Sequence, residues 1–216
     1  MELHEYKGKD ITIRYDAQRC IHAKKCVHGA PAVFNPEARP WVSADSAEAR
    51  SIAVVIQRCP TGALHYQAAN PELAERADPS NTVTTSPEGP LYLRGNIRVV
   101  TDAGAELLSD TRMALCRCGA SKNKPLCDNS HFAVAFDDPG VSLPGPDAGK
   151  EMVTSGKLQV IPTTDGPLHL QGQITIRNAS NQVIFEGTEA WLCRCGASAS
   201  KPFCDGSHER IGFKSQ

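Results

Sequence analysis

The chain has 216 residues, of which 23 are Lys or Arg and 24 are Asp or Glu, for a net charge of −1. This balance, with no basic block and no apolar run of about 18 residues, gives no ground for nucleic-acid binding and excludes a helical membrane span. Aromatic residues make up only 6 %, whereas 17 Gly and 15 Pro predict a loop-rich chain whose small cores need a staple.

In chain order, alternation over residues 11–15 predicts a strand, followed by a loop with Cys20 and Cys26 and by Trp41-Val42. Residues 46–57 read as a helix, with Ser46 and Glu48 at its start and Ile52, Val55 and Ile56 on its core side. Cys59-Pro60-Thr61-Gly62-Ala63-Leu64 closes this first segment, 1–68. Polar, Pro-rich residues 69–88 suit a linker. Beyond it, 89–136 and 166–213 align without a gap over 48 residues with 21 identities, opening on Gly89-Pro90-Leu91 and Gly166-Pro167-Leu168. A match running through loops as well as strands predicts duplication of a whole unit, 89–136 and 166–216, joined by 137–165. Within each copy, Leu91, Leu93, Ile97 and Val99 (Leu168, Leu170, Ile174 and Ile176) predict a first strand. A second strand is expected at 106–108 or 183–185, and a third, separate one at 113–115 or 190–192. Asp128 and Asp205 are expected as N-caps of short helices. Trp41 and Trp191 read as core packing.

The nine cysteines divide as three, three and three. An odd number, Cys-x-Cys pairs too close for an easy bridge, and residues 1–10 without the apolar segment of a secretory leader all speak against disulfides. Metal ligation in a reducing cytoplasm is the expectation. Each repeat carries one string: Cys116-Arg117-Cys118, eight residues, Cys127, three residues, His131; then Cys193-Arg194-Cys195, eight residues, Cys204, three residues, His208. Three thiolates and an imidazole are also a zinc set, but zinc sites space their paired ligands by two to four residues, and Cys-x-Cys better suits two thiolates on one iron of a two-metal core. Arg117, Arg194, Lys124 and Lys201 recur beside the ligands, either as charge compensation or as solvated surface.

Cys-x-Cys, eight residues, Cys, then Asp-x-Ser-His resembles the signature of CDGSH iron–sulfur proteins, the mitoNEET-type group. Cys204-Asp205-Gly206-Ser207-His208 matches letter for letter, and Cys127-Asp128-Asn129-Ser130-His131 differs by Asn for Gly, a residue that tolerates left-handed backbone. The resemblance implies a [2Fe–2S] cluster in each loop, with Cys116 and Cys118 (Cys193 and Cys195) on the inner iron and Cys127 and His131 (Cys204 and His208) on the outer one. Relatives with one motif form two-fold dimers, so the two fused copies are expected to form a pseudo-two-fold pair within a monomer. Histidine in place of a thiolate removes negative charge, which predicts a potential between those of all-thiolate and Rieske centres and coupling of reduction to protons.

The N-terminal run Cys20-x5-Cys26, with Cys59-Pro60 33 positions later, is similar to a single-cluster bacterial ferredoxin, but Ala23 stands here where the ferredoxin has its middle cysteine. Cys-x-His-x3-Cys, Val33-Phe34, Pro40-Trp41 and Cys-Pro-x-Gly-Ala-Leu resemble the divergent mono-cluster ferredoxin family. Three thiolates suit a [3Fe–4S] cluster; a [4Fe–4S] cluster needs a fourth donor, for which His22 is the candidate. The chain is thus expected to be α+β: a small ferredoxin-like domain and two tandem β-rich units. With no nucleophile–base pair, phosphate loop or dinucleotide fingerprint, it reads as a soluble electron carrier and not an enzyme. Its partners would be redox proteins or apo-proteins that accept a cluster, and cluster storage, transfer or redox sensing is the alternative to electron carriage.

Overall fold

A computed structural model describes residues 3–145 and 156–215. The chain divides into two compact units, Met1–Arg76 and Ala77–Gln216.

The first unit is α+β. Strands β1 (Leu3–Lys7), β2 (Ile11–Asp16) and β3 (Leu64–Ala68) form an antiparallel sheet in the order β1-β2-β3, with Ile13 opposite Tyr6 on one side and Tyr66 on the other. Period-two alternation aims Ile11 and Ile13 at the core. There they meet Phe34, Val42, Leu64 and the apolar face of helix α2 (Ala49–Ile56), which buries Ile52, Ala53, Val55 and Ile56. The short helix α1 (Lys25–Gly29) carries Cys26. Trp41 packs among Tyr6, Tyr15 and Phe34, as expected. Helix α2 starts three residues later than 46, with Glu48 at its N-cap. Ser46 is held in a preceding turn, its hydroxyl on Ser43 Oγ at 2.8 Å, so that oxygen is not spent on capping the helix.

Residues 69–76, expected as linker, fold back on this unit. Ala69 N–H donates to Asp10 O at 2.9 Å, Tyr66 hydroxyl to Leu73 O at 2.7 Å, and His65 Nδ1 lies 2.8 Å from Glu75.

The second unit is built on β4 (Thr82–Thr85), β5 (Leu91–Val100), β6 (Glu106–Leu115), β7 (Leu158–Pro162), β8 (Leu168–Arg177) and β9 (Val183–Leu192). Strands β4 and β7 lie in stretches expected as linkers; they are short, and their Thr- and Pro-rich flanks read as turns. In each repeat the expected second and third strands are one: β6 pairs with β5 from Glu106 to Leu115 and β9 with β8 from Val183 to Leu192. Polar Ser109–Thr111 do not interrupt β6: the ladder continues past a bulge at Gly95-Asn96 of β5, and past the matching bulge at Gly172-Gln173 of β8.

Strand pairing crosses between the repeats. Strand β4 runs antiparallel to β5 of its own half and parallel to β8 of the other; β7 runs antiparallel to β8 and parallel to β5. The scheme maps onto itself when the halves are exchanged. Val83, Leu91, Leu93, Ile97 and Leu115 from one half join Leu158, Val160, Leu168, Ile174 and Leu192 from the other in a single apolar core. Each fully buried aliphatic side chain contributes about 1.5–3 kcal/mol, so much of the stability is shared between the halves.

Candidate metal centres

In the second unit, β6 and β9 each deliver a Cys-x-Cys pair, and the following loop is hooked back onto its own strand. Cys116 N–H donates to Pro125 O and Cys127 N–H to Ala114 O, both at 2.9 Å; Cys193 to Pro202 O and Cys204 to Trp191 O repeat the pattern at 2.8 and 2.9 Å. Buried Ser121 and Ser198 brace the loop turns, donating to Leu126 O and Phe203 O at 2.7 Å.

The Asp-x-Ser-His stretch forms one-turn helices α3 (Ser130–Ala133) and α4 (Ser207–Arg210). Their N-caps are Asn129 and Gly206, with left-handed φ of 73° and 81°, rather than the aspartates. The aspartates act one residue earlier. Asp128 accepts from Lys122 N–H at 2.8 Å and Ser130 N–H at 3.0 Å, and Asp205 accepts from Ala199 N–H at 2.8 Å and Ser207 N–H at 2.9 Å. Each carboxylate thus ties the start of its ligand loop to the histidine turn. Burial alone would raise the pKa of Asp128, but bonds from Ser130 and Lys122 outweigh it and hold the group below its usual range; Asp205 is held down by its bonds to Ser207 and Ala199.

The donors stand in pairs. Cys116 Sγ and Cys118 Sγ are 3.6 Å apart, Cys193 Sγ and Cys195 Sγ 3.8 Å, while Cys127 Sγ lies 3.5 Å from His131 Nδ1 and Cys204 Sγ 3.4 Å from His208 Nδ1. Two thiolates on one tetrahedral metal at about 2.3 Å stand roughly 3.8 Å apart, so each pair fits one metal. Among the described residues no three such side chains converge on a single ion position. The arrangement is two donor pairs per repeat. Nδ1 is the histidine atom that faces the sulfur.

The thiols are poised differently. A hydrogen bond from Cys118, opposed by burial and helped by backbone N–H groups, lowers Cys116 to about 6, while the same bond and burial push Cys118 up. Burial raises Cys127 to about 11 and lowers His131, which keeps its ring neutral and able to bind metal.

The arginines between the paired cysteines are not solvated surface. Arg117 is 1 % exposed, donating to Gly89 O at 2.7 Å, Ser86 O at 2.6 Å and Asp138 Oδ1 at 2.7 Å, with Phe136 over its face at 4.9 Å. Arg194 donates to Gly166 O at 3.0 Å and Thr163 O at 2.5 Å, beneath Phe213. Lys124 and Lys201 fold onto Ser121 O and Ser198 O at 2.7 and 2.6 Å. All four brace the ligand loops. Sequence reasoning missed Asp138, which lies in an expected linker. Trp191 is not core but 44 % exposed, stacked on His169 with ring centroids 3.7 Å apart.

In the first unit, Cys20, Cys26, Cys59 and His22 line one cavity of about 580 Å³, together with Tyr15 and Trp41. Arg19 binds the two cysteine segments together through Thr61 O at 2.6 Å. His22 and Lys24 have φ of 52° and 57°, and backbone alternating in this way builds the N–H concavities that cradle iron–sulfur groups. Tyr15, unforeseen from sequence, hydrogen-bonds Cys20; burial first and this bond second raise its pKa.

Loops of paired thiolates and imidazoles on a duplicated sheet, with a three-cysteine cavity ahead of them, define an iron–sulfur protein. Two domains of the chain are of the iron-binding CDGSH type: the model described as "Iron-binding zinc finger CDGSH type" matches residues 88–132 and 165–209. Ahead of these, the model described as "Divergent 4Fe-4S mono-cluster" matches residues 6–69. Over 62 residues the chain is 34% identical to the uncharacterized protein YjdI of Escherichia coli K12, and equally to that of strain O157:H7; the match covers 29% of this chain and 82% of the relative. No helix among the described residues is long and apolar enough to cross a membrane.

Proposed function

We propose that the protein is a cytoplasmic electron carrier with three iron–sulfur clusters and no enzymatic activity of its own. The carrying observation is the pairing of donors, two thiolates and then a thiolate with an imidazole, in both repeats. On this reading Cys116, Cys118, Cys127 and His131 hold one [2Fe–2S] cluster, and Cys193, Cys195, Cys204 and His208 a second. Cys20, Cys26 and Cys59 hold a third, with His22 as fourth donor of a [4Fe–4S] cluster; without it the cluster is [3Fe–4S]. The clusters, when bound, supply one-electron reduction. The protein's residues supply the rest: buried Arg117 and Arg194 offset thiolate charge, the carboxylates of Asp128 and Asp205 fix the loops, and the ring nitrogen opposite Nδ1 takes up a proton on reduction.

The exchange-symmetric strand pairing supports a pseudo-two-fold pair of repeats in a monomeric chain, the counterpart of a dimer of single-motif relatives. A second reading, release of a cluster to an apo-protein, is favoured by the partial exposure of Cys204 and His208 in the second repeat, where Cys127 and His131 of the first are buried. A structural zinc protein is the remaining reading, and the split donor pairs speak against it.

Anaerobic iron and sulfide counting with electron paramagnetic resonance tests the proposal. About four irons from the repeats and three or four from the N-terminal unit are expected. A colourless folded protein loaded with zinc rejects it. Incubation of the holoprotein with an apo-ferredoxin separates the first two readings: retained clusters mean carriage, and quantitative loss means transfer.

A further inference from the structure

We propose that the mouth of the cavity shared by Cys20, Cys26 and Cys59 is the docking surface for an acidic redox protein. The proposal rests on the electron-carrier reading and adds the chemistry of the partner.

Three cations frame that mouth. Lys24, Lys25 and Arg39 line the cavity and are all exposed, against one carboxylate, Glu37. His22 and His28 stand at the same rim. Arg39 donates to Pro36 O and Ala38 O, each at 2.7 Å, which fixes the guanidinium at the edge of the opening. Among the described residues no carboxylate forms an ion pair with any of the three.

The excess is local. Residues 1–76 contain ten Lys or Arg and nine Asp or Glu, so the unit as a whole is close to neutral. Three of its carboxylates, Asp10, Asp45 and Glu48, line a separate cavity, with Lys9 as the one cation there. The opening onto the thiols thus carries a local positive field, three cations against one carboxylate. A field of this kind steers an oppositely charged partner and orients it before contact, raising association rates by about 10–10³ at low salt. Cations serving only to neutralise a bound cluster would be expected in contact with it and shielded from water, as Arg117 and Arg194 are beside the other ligands. Lys24 and Lys25 face solvent instead. A partner must reach the metal site to exchange electrons, and this opening is where the three cysteines are approached.

Stopped-flow reduction of the full-length holoprotein by the hydroquinone of an acidic flavodoxin is the test. One electron leaves the hydroquinone, giving the semiquinone, and enters the N-terminal cluster, whose paramagnetic signal is followed after freeze-quenching. The second-order rate is expected to fall about tenfold between low and physiological salt, and about tenfold again in the Lys24→Glu/Lys25→Glu variant at low salt. Should that variant lose its cluster, Arg39→Glu, outside the ligand loop, reads the same field. Asp45→Asn, in the separate cavity, should leave the rate unchanged. A salt-independent rate, or variants that shift the potential without changing the rate, would assign the cations to the cluster and overturn the docking proposal. Retention of short duplex DNA by the wild-type protein but not by the charge-reversed one would overturn it as well. If dithionite itself fails to reduce the cluster, the electron-carrier reading falls; if dithionite reduces it and flavodoxin shows no dependence on charge, only the docking surface falls.

Discussion

Cys118 and Cys195, 77 positions apart in sequence, pair backbone to backbone as an isolated antiparallel bridge. The two donor loops therefore meet back to back, and the residues after them are pressed together. A Cβ on Gly119 would stand 2.6 Å from Cys195 O, and one on Gly196 would stand 2.6 Å from Cys118 O.

Gly119→Ala should consequently damage both repeats and not only its own. The left-handed φ of +83° costs alanine about 1–2 kcal/mol, and the clash adds to it. The expected outcome is loss of iron from both CDGSH loops, counted against Gly104→Ala. That control has a φ of +81° but open space around its Cβ. Loss confined to residues 116–131 would contradict the shared contact.

Removing Arg117 leaves the carboxylate of Asp138, 13% exposed, without its main partner. Arg117→Ala should destabilise the second unit by about 3–5 kcal/mol, and adding Asp138→Asn should recover part of that loss. Thermal unfolding of the two variants against wild type measures the coupling.

Reduction in the repeats should become easier as pH falls, because a proton on the imidazole adds positive charge that favours the reduced site. The potential is therefore expected to drop as pH rises through the histidine range. His131→Cys should lower the first repeat's potential and flatten its slope, since a fourth thiolate adds negative charge and removes the proton acceptor. Potentiometric titrations between pH 6 and 9 decide this, and a flat wild-type profile rejects proton coupling.

His22→Ala should convert the N-terminal centre to a three-iron species while leaving both repeats intact. The readout is a three-iron paramagnetic signal and a loss of about one iron per chain. An unchanged four-iron signal would remove His22 from the ligand set.

The candidate donor strings were legible because they are local: each run of Cys, Arg and His fits within about one loop. The ungapped repeat likewise anticipated the matching β5–β6 and β8–β9 hairpins. Strands β4 and β7 were not legible. Their register is set partly by ladders with the far half of the chain, and a four- or five-residue run next to Ser-Pro or Gly-Lys gives no periodicity to read. Asp138 was hidden for the same reason, since its role depends on Arg117 21 residues earlier and on Lys201 across the unit, 3.7 Å from its other oxygen. Asp128 and Asp205 were expected as N-caps, but the cap falls on the following residue, where the backbone turns left-handed; their role in tying the loop to the histidine turn was not foreseen. Trp191 was misread because a large aromatic in a strand beside a ligand suggests burial, whereas His169 gives it a stacking surface at the solvent boundary.

The crossed pairing of β4 with β8 and of β7 with β5 means that neither duplicated half owns a finished border. Mutations accumulate in such a chain as they would in two interlocked partners: a change on one margin alters the fit of its twin, so the halves can drift apart in detail only while continuing to fit each other. A protease nick between them would leave two pieces still clasped, and expressing them as separate polypeptides should rebuild the same object.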